Sequence, residues 1–433
     1  MIHFLLDRSH GTVDIVSASD TSVPQSEVQR AGYRLGEPGY RRASVALFSA
    51  GMATFMTLYY VQGLLPIFSE HYGVSPATSA LAISVSTGLL AVAIIPASVL
   101  SERFGRVRVM SISAVSAALL GLVLPWSPTF EILLAGRALQ GLLCAGVPAV
   151  AMAYLAEEID GRALGTAMGT YVAGNTIGGL AGRMIPTLAI DVTAWQWALE
   201  LASLVALGFA VAFIKLVPKS NNFVPQRISP RKTFRNLATH LRDTPLLCLF
   251  GLAFVLMGGF VTVYNFLGYR LIASPFNLPV TLAGLVFTLY LSGTISSAVA
   301  GRMADAWGRR RVLVIAIGVM VTGLALSLPD WLPTILIGIS LFTAGFFAAH
   351  SVASAWVGAR ATQHRAEASS LYVLSYYIGA SLVGALGGLA YTAGGWAGVA
   401  GYVAAFLVVG VILTTALVRS GSAAPAPRSG RSA

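Results

Sequence analysis

Two short segments of this chain write the same arrangement of charges, LSERFGRVRVM at 100–110 and MADAWGRRRVL at 303–313, although only 10% of the residues are charged. Each places a carboxylate three positions before a glycine and an arginine directly after it. Glu102, Gly105 and Arg106 recur as Asp305, Gly308 and Arg309, with Arg103 and Arg310 alongside. The chemistry of such a segment is electrostatic. A carboxylate at a helix end accepts hydrogen bonds from arginine or from free helix N–H groups, and glycine supplies the backbone freedom of a short turn. A few polar residues stand alone in apolar surroundings. Arg137 lies in LLAGRALQG with Gln140 three positions on, and His350 lies in AGFFAAHSVASAW. Their plain structural role is a hydrogen bond between helices; the alternative is a cavity charge at Arg137 and a proton switch at His350. No phosphate-binding glycine loop, metal-ligand cluster or nucleophile–base spacing stands out, so no enzyme, cofactor or metal is expected. Cys144 and Cys248 sit in apolar runs and read as small packing residues.

The elements that must hold these residues are set by composition. A chain of 433 residues that is 56% hydrophobic, with mean hydropathy +0.75, carries more apolar surface than a soluble core absorbs. A bilayer is the expected solvent. Twelve apolar runs near the ~20 residues needed to cross hydrocarbon are found at about 44–66, 77–100, 108–126, 129–152, 164–188, 195–217, 246–268, 280–303, 310–328, 332–355, 366–390 and 395–418. They are continuous and rich in Ala, Leu and Gly, so helices are expected and strands are not. The fold class is therefore an all-α integral membrane protein. Residues 1–43 and 419–433 read as disordered tails, and 218–245 as a polar, basic linker dividing a six-helix unit at 44–217 from another at 246–418. The first 42 residues hold no apolar stretch long enough for a signal peptide.

Orientation follows from the basic residues. With the N-terminal tail inside, 25 of the 28 Lys and Arg fall in the tails and inner connections. Arg183 and Arg270 remain near outer helix ends, and Arg137 within a span, where it costs at least ~2.5–3.5 kcal/mol unless it meets a partner or a cavity. Both termini are expected in the cytoplasm. The net charge of +11 then reflects topology, and nucleic acid is not an expected partner. No Asp or Glu lies at the middle of a span. Glu131 and Glu200 lie near outer ends, Glu157 and Glu158 near an inner one.

The charged turn is part of a longer repeat. FMTLY in the first span matches FVTVY in the seventh, and GNTIGGLAG in the fifth matches GASLVGALG in the eleventh, each at offset 205. A duplicated six-helix unit with parallel halves is implied, because six is even. On these residues the chain resembles the major facilitator superfamily, within it the drug:proton antiporter and sugar-efflux branch. The second turn, GRMADAWGRRR, keeps most of the family's Gly-x-Leu-Ala-Asp-Arg-x-Gly-Arg-Arg; the first departs from it at Ser98, Glu102 and Val107. In the fifth span, Asn175 stands where the antiporter signature has proline. Gly174, Gly178 and Gly182 share one helix face with Gly179 beside them, and Gly379 and Gly384 match in the eleventh span. Close helix packing is expected there.

The resemblance implies alternating access between two six-helix bundles, with the charged turns as cytoplasmic gating pairs. It also implies a cavity lined by spans one and seven, which carry Tyr59, Tyr60, Tyr264 and Asn265. Arg137, Gln140 and His350 complete the expected cavity set. The activity implied is proton-coupled efflux of small organic molecules by a monomer in a bacterial-type inner membrane. Uptake of a sugar or organic acid is the alternative. A non-transporting membrane sensor on the same scaffold belongs to another class and is disfavoured by the small tails.

Overall fold

The computed structural model describes residues 32–223, 235, 237–361 and 363–421. The rest of the tails and linker, including 1–31, 224–234 and 422–433, lie outside the described residues. Among the described residues, twelve helical spans form an all-α membrane fold in two halves. The first half contains α1 Pro38–Tyr72, α2 Pro76–Phe104, α3 Arg106–Trp126, α4 Phe130–Glu158, α5 Leu164–Ala189 and α6 Trp195–Leu216. The second contains α7 Thr244–Ile272, α8 Val280–Trp307, α9 Arg309–Leu326, α10 Leu332–Arg360, and α11 and α12 within Arg365–Gly421. Those last two separate at Gly394 and Gly395, where Gly395 has φ 56°, a conformation that suits glycine alone among common residues.

Helix starts follow local rules. Pro38 occupies the first turn of α1, where its missing N–H is not needed. Ser75, Thr129 and Asp243 accept hydrogen bonds from Thr78, Ile132 and Leu246 at the starts of α2, α4 and α7. α1 therefore begins at Pro38, ahead of the apolar run at 44. Tyr33 is docked too: its N–H donates to the Glu158 carbonyl at 2.8 Å, and its own carbonyl accepts from Asp160 N at 3.0 Å. At the other end, helix continues to Gly421.

Leu119, Val123, Leu204, Ile214, Leu389 and Ile412 are exposed, as expected for helices whose outer faces meet lipid. The most apolar stretches of α1 and α7 are 83% buried, against 33% for α8. So α1 and α7 run through the interior. Three spans are interrupted: α1 passes through a 3₁₀ turn at Gln62–Leu64, α4 breaks between Cys144 and Gly146, and α8 is 3₁₀ over Leu285–Leu289.

α5 lies directly on α1. A Cβ added at Gly174, Gly178 or Gly182 would run into the carbonyl oxygens of Phe48, Met52 and Met56. The four-residue spacing on both helices lets two backbones touch along a seam. Gly379 meets Phe254 of α7 in the same manner, whereas Gly384 faces the Val261 side chain.

Candidate functional site

Arg137 is fully buried inside the first half, and every part of its guanidinium is used. Nε donates to the Ala82 carbonyl at 2.9 Å, Nη1 to Thr57 O at 3.0 Å and to the Gln140 side-chain oxygen, and Nη2 to Leu58 O at 2.7 Å. Gln140 Nε2 donates onward to Ala117 O at 2.9 Å. One side chain on α4 thus ties α1, α2 and, through Gln140, α3. Its guanidinium lies 5.3 Å from the Tyr60 ring centroid.

The two halves meet through a separate polar set. Gln62, turned inward by the break in α1, donates from Nε2 to Asn265 Oδ1 on α7 at 2.7 Å. Its Oε1 accepts from Arg183 Nε on α5, also at 2.7 Å. Arg183 Nη1 donates to Gly179 O at 2.5 Å. The guanidinium carbon lies 4.0 Å from the Tyr59 ring centroid, 4.8 Å from Tyr290 and 5.6 Å from Phe287. Ser69 and Tyr269 hydroxyls bond across the halves at 2.6 Å, Tyr269 also donates to Leu65 O, Thr281 donates to Thr187 O, and Ser381 to Ser84 O. All of these contacts lie in the helix portions remote from the charged turns. Among the described residues no hydrogen bond or ion pair joins the halves at the ends that carry those turns.

The second half has an aromatic core. Phe260 stacks on Phe346 with centroids 4.0 Å apart, and Tyr264 donates or accepts at Thr343 over 2.7 Å. His350 is half-buried on α10; its Nδ1 pairs with the Tyr372 hydroxyl at 3.0 Å, and its ring lies 5.5 Å from Tyr372, 4.9 Å from Tyr376 and 5.8 Å from Phe346.

The charged turns share backbone and differ in partners. Gly105 has φ 92° and Gly308 φ 85°, so both turns need glycine. At the first, Arg106 is 5% exposed and pairs with Glu102 at 2.5 Å and Glu157 at 2.7 Å, while Nη1 donates to Ser101 Oγ at 2.6 Å. Arg103 lies 5.3 Å over Phe104. At the second, Asp305 and Arg310 are exposed, Arg309 is half-buried, and none of the three forms an ion pair with a described residue. The copy that departs further from the family pattern is the one that closes a network, because α4 carries Glu157 in its last turn, whereas α10 ends in Arg360, which turns to Asp243 at 3.2 Å.

Arg183, Gln62, Tyr290 and Glu157 carry interactions that sequence reasoning did not single out as a site. For Arg183 the signal was available: an arginine inside an expected span, the criterion that selected Arg137, set aside because it lies near the helix end. Glu157 stands 51 positions from Arg106 with no local pattern joining them. Among the described residues no three His, Cys, Asp or Glu side chains gather as metal ligands.

The profile of the Major Facilitator Superfamily matches residues 47–272 and again 249–433. The inner membrane transport protein YnfM of Escherichia coli (strain K12) is 42% identical over 408 residues, covering 94% of this chain and 98% of that one. The uncharacterized MFS-type transporter YybF of Bacillus subtilis (strain 168) is 39% identical over 387 residues, covering 89% and 96%. Among solved structures, a bacterial homologue of the human lysosomal transporter Spinster, in an inward-facing and occupied conformation, aligns with TM-score 0.70 at 17% identity, over 89% of this chain and 97% of that chain. At that identity the likeness speaks for the fold alone.

Proposed function

The chain belongs to the Major Facilitator Superfamily of transporters, and from that premise we propose that it is a secondary active exporter of small organic molecules, coupled to protons and working by alternating access. The observation that carries the reading is the one-sided placement of contacts between the halves. Gln62–Asn265, Ser69–Tyr269, Thr281–Thr187 and Ser381–Ser84 seal one end, while the charged turns make no bond across the halves among the described residues. A carrier that seals one end at a time needs weak, few and polar contacts there, and hydrogen bonds of ~1 kcal/mol each suit a seal that must break and reform. The bias of Lys and Arg supports cytoplasmic tails and turns, and on this reading the contacts fit an inward-facing state of a monomer in a bacterial inner membrane.

In this reading Asp305, Arg309 and Arg310 stand apart because their partners across the halves are met only when the carrier faces outward. Arg137 fixes the first half and does not enter the cavity chemistry. The proton falls to His350, which has a titratable ring and the Tyr372 hydroxyl beside it; interior carboxylates are wanting. Export is supported by the glycine face of α5 in its resemblance to the antiporter signature, although Asn175 replaces the proline. The test is accumulation of a panel of organic compounds in cells with and without the protein, with and without an uncoupler. Lower accumulation that the uncoupler abolishes is the expected result. Raised accumulation overturns export, and indifference to the uncoupler overturns coupling.

A further inference from the structure

Arg183 is a buried cation without an anion. It is 4% exposed, on the helix of the first half that faces the second, and no described carboxylate lies within ion-pair distance. Nε and Nη1 are engaged by Gln62 and Gly179; Nη2 makes no hydrogen bond to any described residue. This sets it apart from Arg137, whose three nitrogens all find acceptors, and from Arg270, which bonds to Asp330 and to the carbonyls closing α9. Tyr59, Tyr290 and Phe287 present ring faces to Arg183. Such contacts favour a desolvated guanidinium by ~2 kcal/mol but do not neutralise it, and an unpaired charge so placed is costly. Two more polar groups in the same seam are buried and find no hydrogen-bond partner among the described residues: the Tyr290 hydroxyl and the Asn265 amide nitrogen. Three unused donors, of which only the Tyr290 hydroxyl can also accept, gather beside a cation that no described carboxylate neutralises, and they describe a place prepared for oxygen atoms bearing negative charge.

A run of aromatic rings leads away from it. Tyr290 lies 6.1 Å from the half-buried Phe347, which continues through Phe346 and His350 to the half-buried Tyr376. We infer that Arg183 receives the carboxylate of the transported molecule through Nη2, with Tyr290 donating a second hydrogen bond, and that the substrate class is organic monocarboxylates with an apolar body lying along Phe347 and Tyr376. The inference rests on the transporter reading of this seam and adds the ligand's charge to it. A planar fork suits a carboxylate better than an ammonium does.

The test uses the purified full-length chain in detergent and acid/amide pairs of equal shape: benzoate with benzamide, phenylacetate with phenylacetamide, 2-naphthoate with 2-naphthamide. Thermal shift and calorimetric titration should show at least one acid raising Tm and binding at least tenfold tighter than its amide. Arg183→Gln should erase that gap, and Arg183→Lys should keep part of it. Amides that bind as well as acids, acids that do not bind, or a gap that survives Arg183→Gln each overturn the inference. Where Arg183→Gln does not fold, Tyr290→Phe decides: a severalfold loss for acids alone supports the site, and equal or no loss for both ligands overturns it. Acid binding without protein-dependent movement of acids into or out of proteoliposomes would sink the exporter reading and leave this site standing. Transport of the amides with no acid binding would do the reverse.

Discussion

The two halves of this molecule share a helix plan and are held together by different chemistry. In the first, the fourth helix sends Arg137 into a hub of main-chain carbonyls from α1 and α2. In the second half α10 carries no arginine before its last residue, Arg360, and there the core is a stack of Phe260, Phe342 and Phe346. At the charged turns the difference repeats: Arg106 closes on Glu102 and Glu157, while Asp305 stands exposed. Duplication has kept backbone geometry, including glycine at φ near 90° in both turns, and exchanged directional polar contacts for aromatic packing. Hydrogen bonds to a buried charge fix relative angles, whereas stacked rings tolerate sliding, so the first half is the stiffer body.

The largest test of that contrast is Arg137→Leu, which replaces the polar hub of the first half with an apolar side chain. Losing bonds from a charged donor to four acceptors should cost at least ~3 kcal/mol, seen as loss of the monodisperse peak in fluorescence-detected size exclusion; a stability change under ~1 kcal/mol would dissolve the contrast. Glu157→Gln comes next. It leaves the buried Arg106 with Glu102 alone and should cost ~1–2 kcal/mol, read as a lower Tm. Asp305→Asn should leave Tm within ~0.5 kcal/mol equivalent and cut transport severalfold. Equal thermal losses at the two turns would show that they are held alike after all. The smallest effect is expected at the seam: Gln62→Leu removes the bonds to Asn265 and Arg183 for ~1 kcal/mol and should speed maleimide labelling of a Gly268→Cys reporter about twofold. Unchanged labelling would mean that Gln62 does not help to seal this end.

Much of this architecture is legible before any coordinates. Lipid demands long apolar helices, so span number shows directly in hydropathy, and the Gly174, Gly178, Gly182 face announces a close neighbour because a four-residue glycine period has few other uses. Contacts between distant helices are not legible in that way. Nothing near Arg106 says that Glu157 rather than Glu158 will reach it, and nothing around Gln62 says that α1 will break and turn its amide toward Arg183. Boundaries also shift where Pro38 starts a helix in polar residues, since hydropathy marks where lipid begins and caps mark where helix begins.

The lone guanidinium of Arg183 has an electrical consequence. In the proposed cycle the transmembrane voltage falls across whichever end is sealed, so this charge changes electrical side when the seal changes ends, with little travel of its own. An elementary charge carried through the full field changes energy by about 2.3 kcal/mol per 100 mV. In a cell negative inside, the empty carrier is pulled toward the inward-facing state, ready to load from the cytoplasm. With a monocarboxylate seated, the local charge is cancelled and the loaded stroke is indifferent to voltage. The membrane potential would then act on the resetting stroke, as a bias on where the unloaded protein waits.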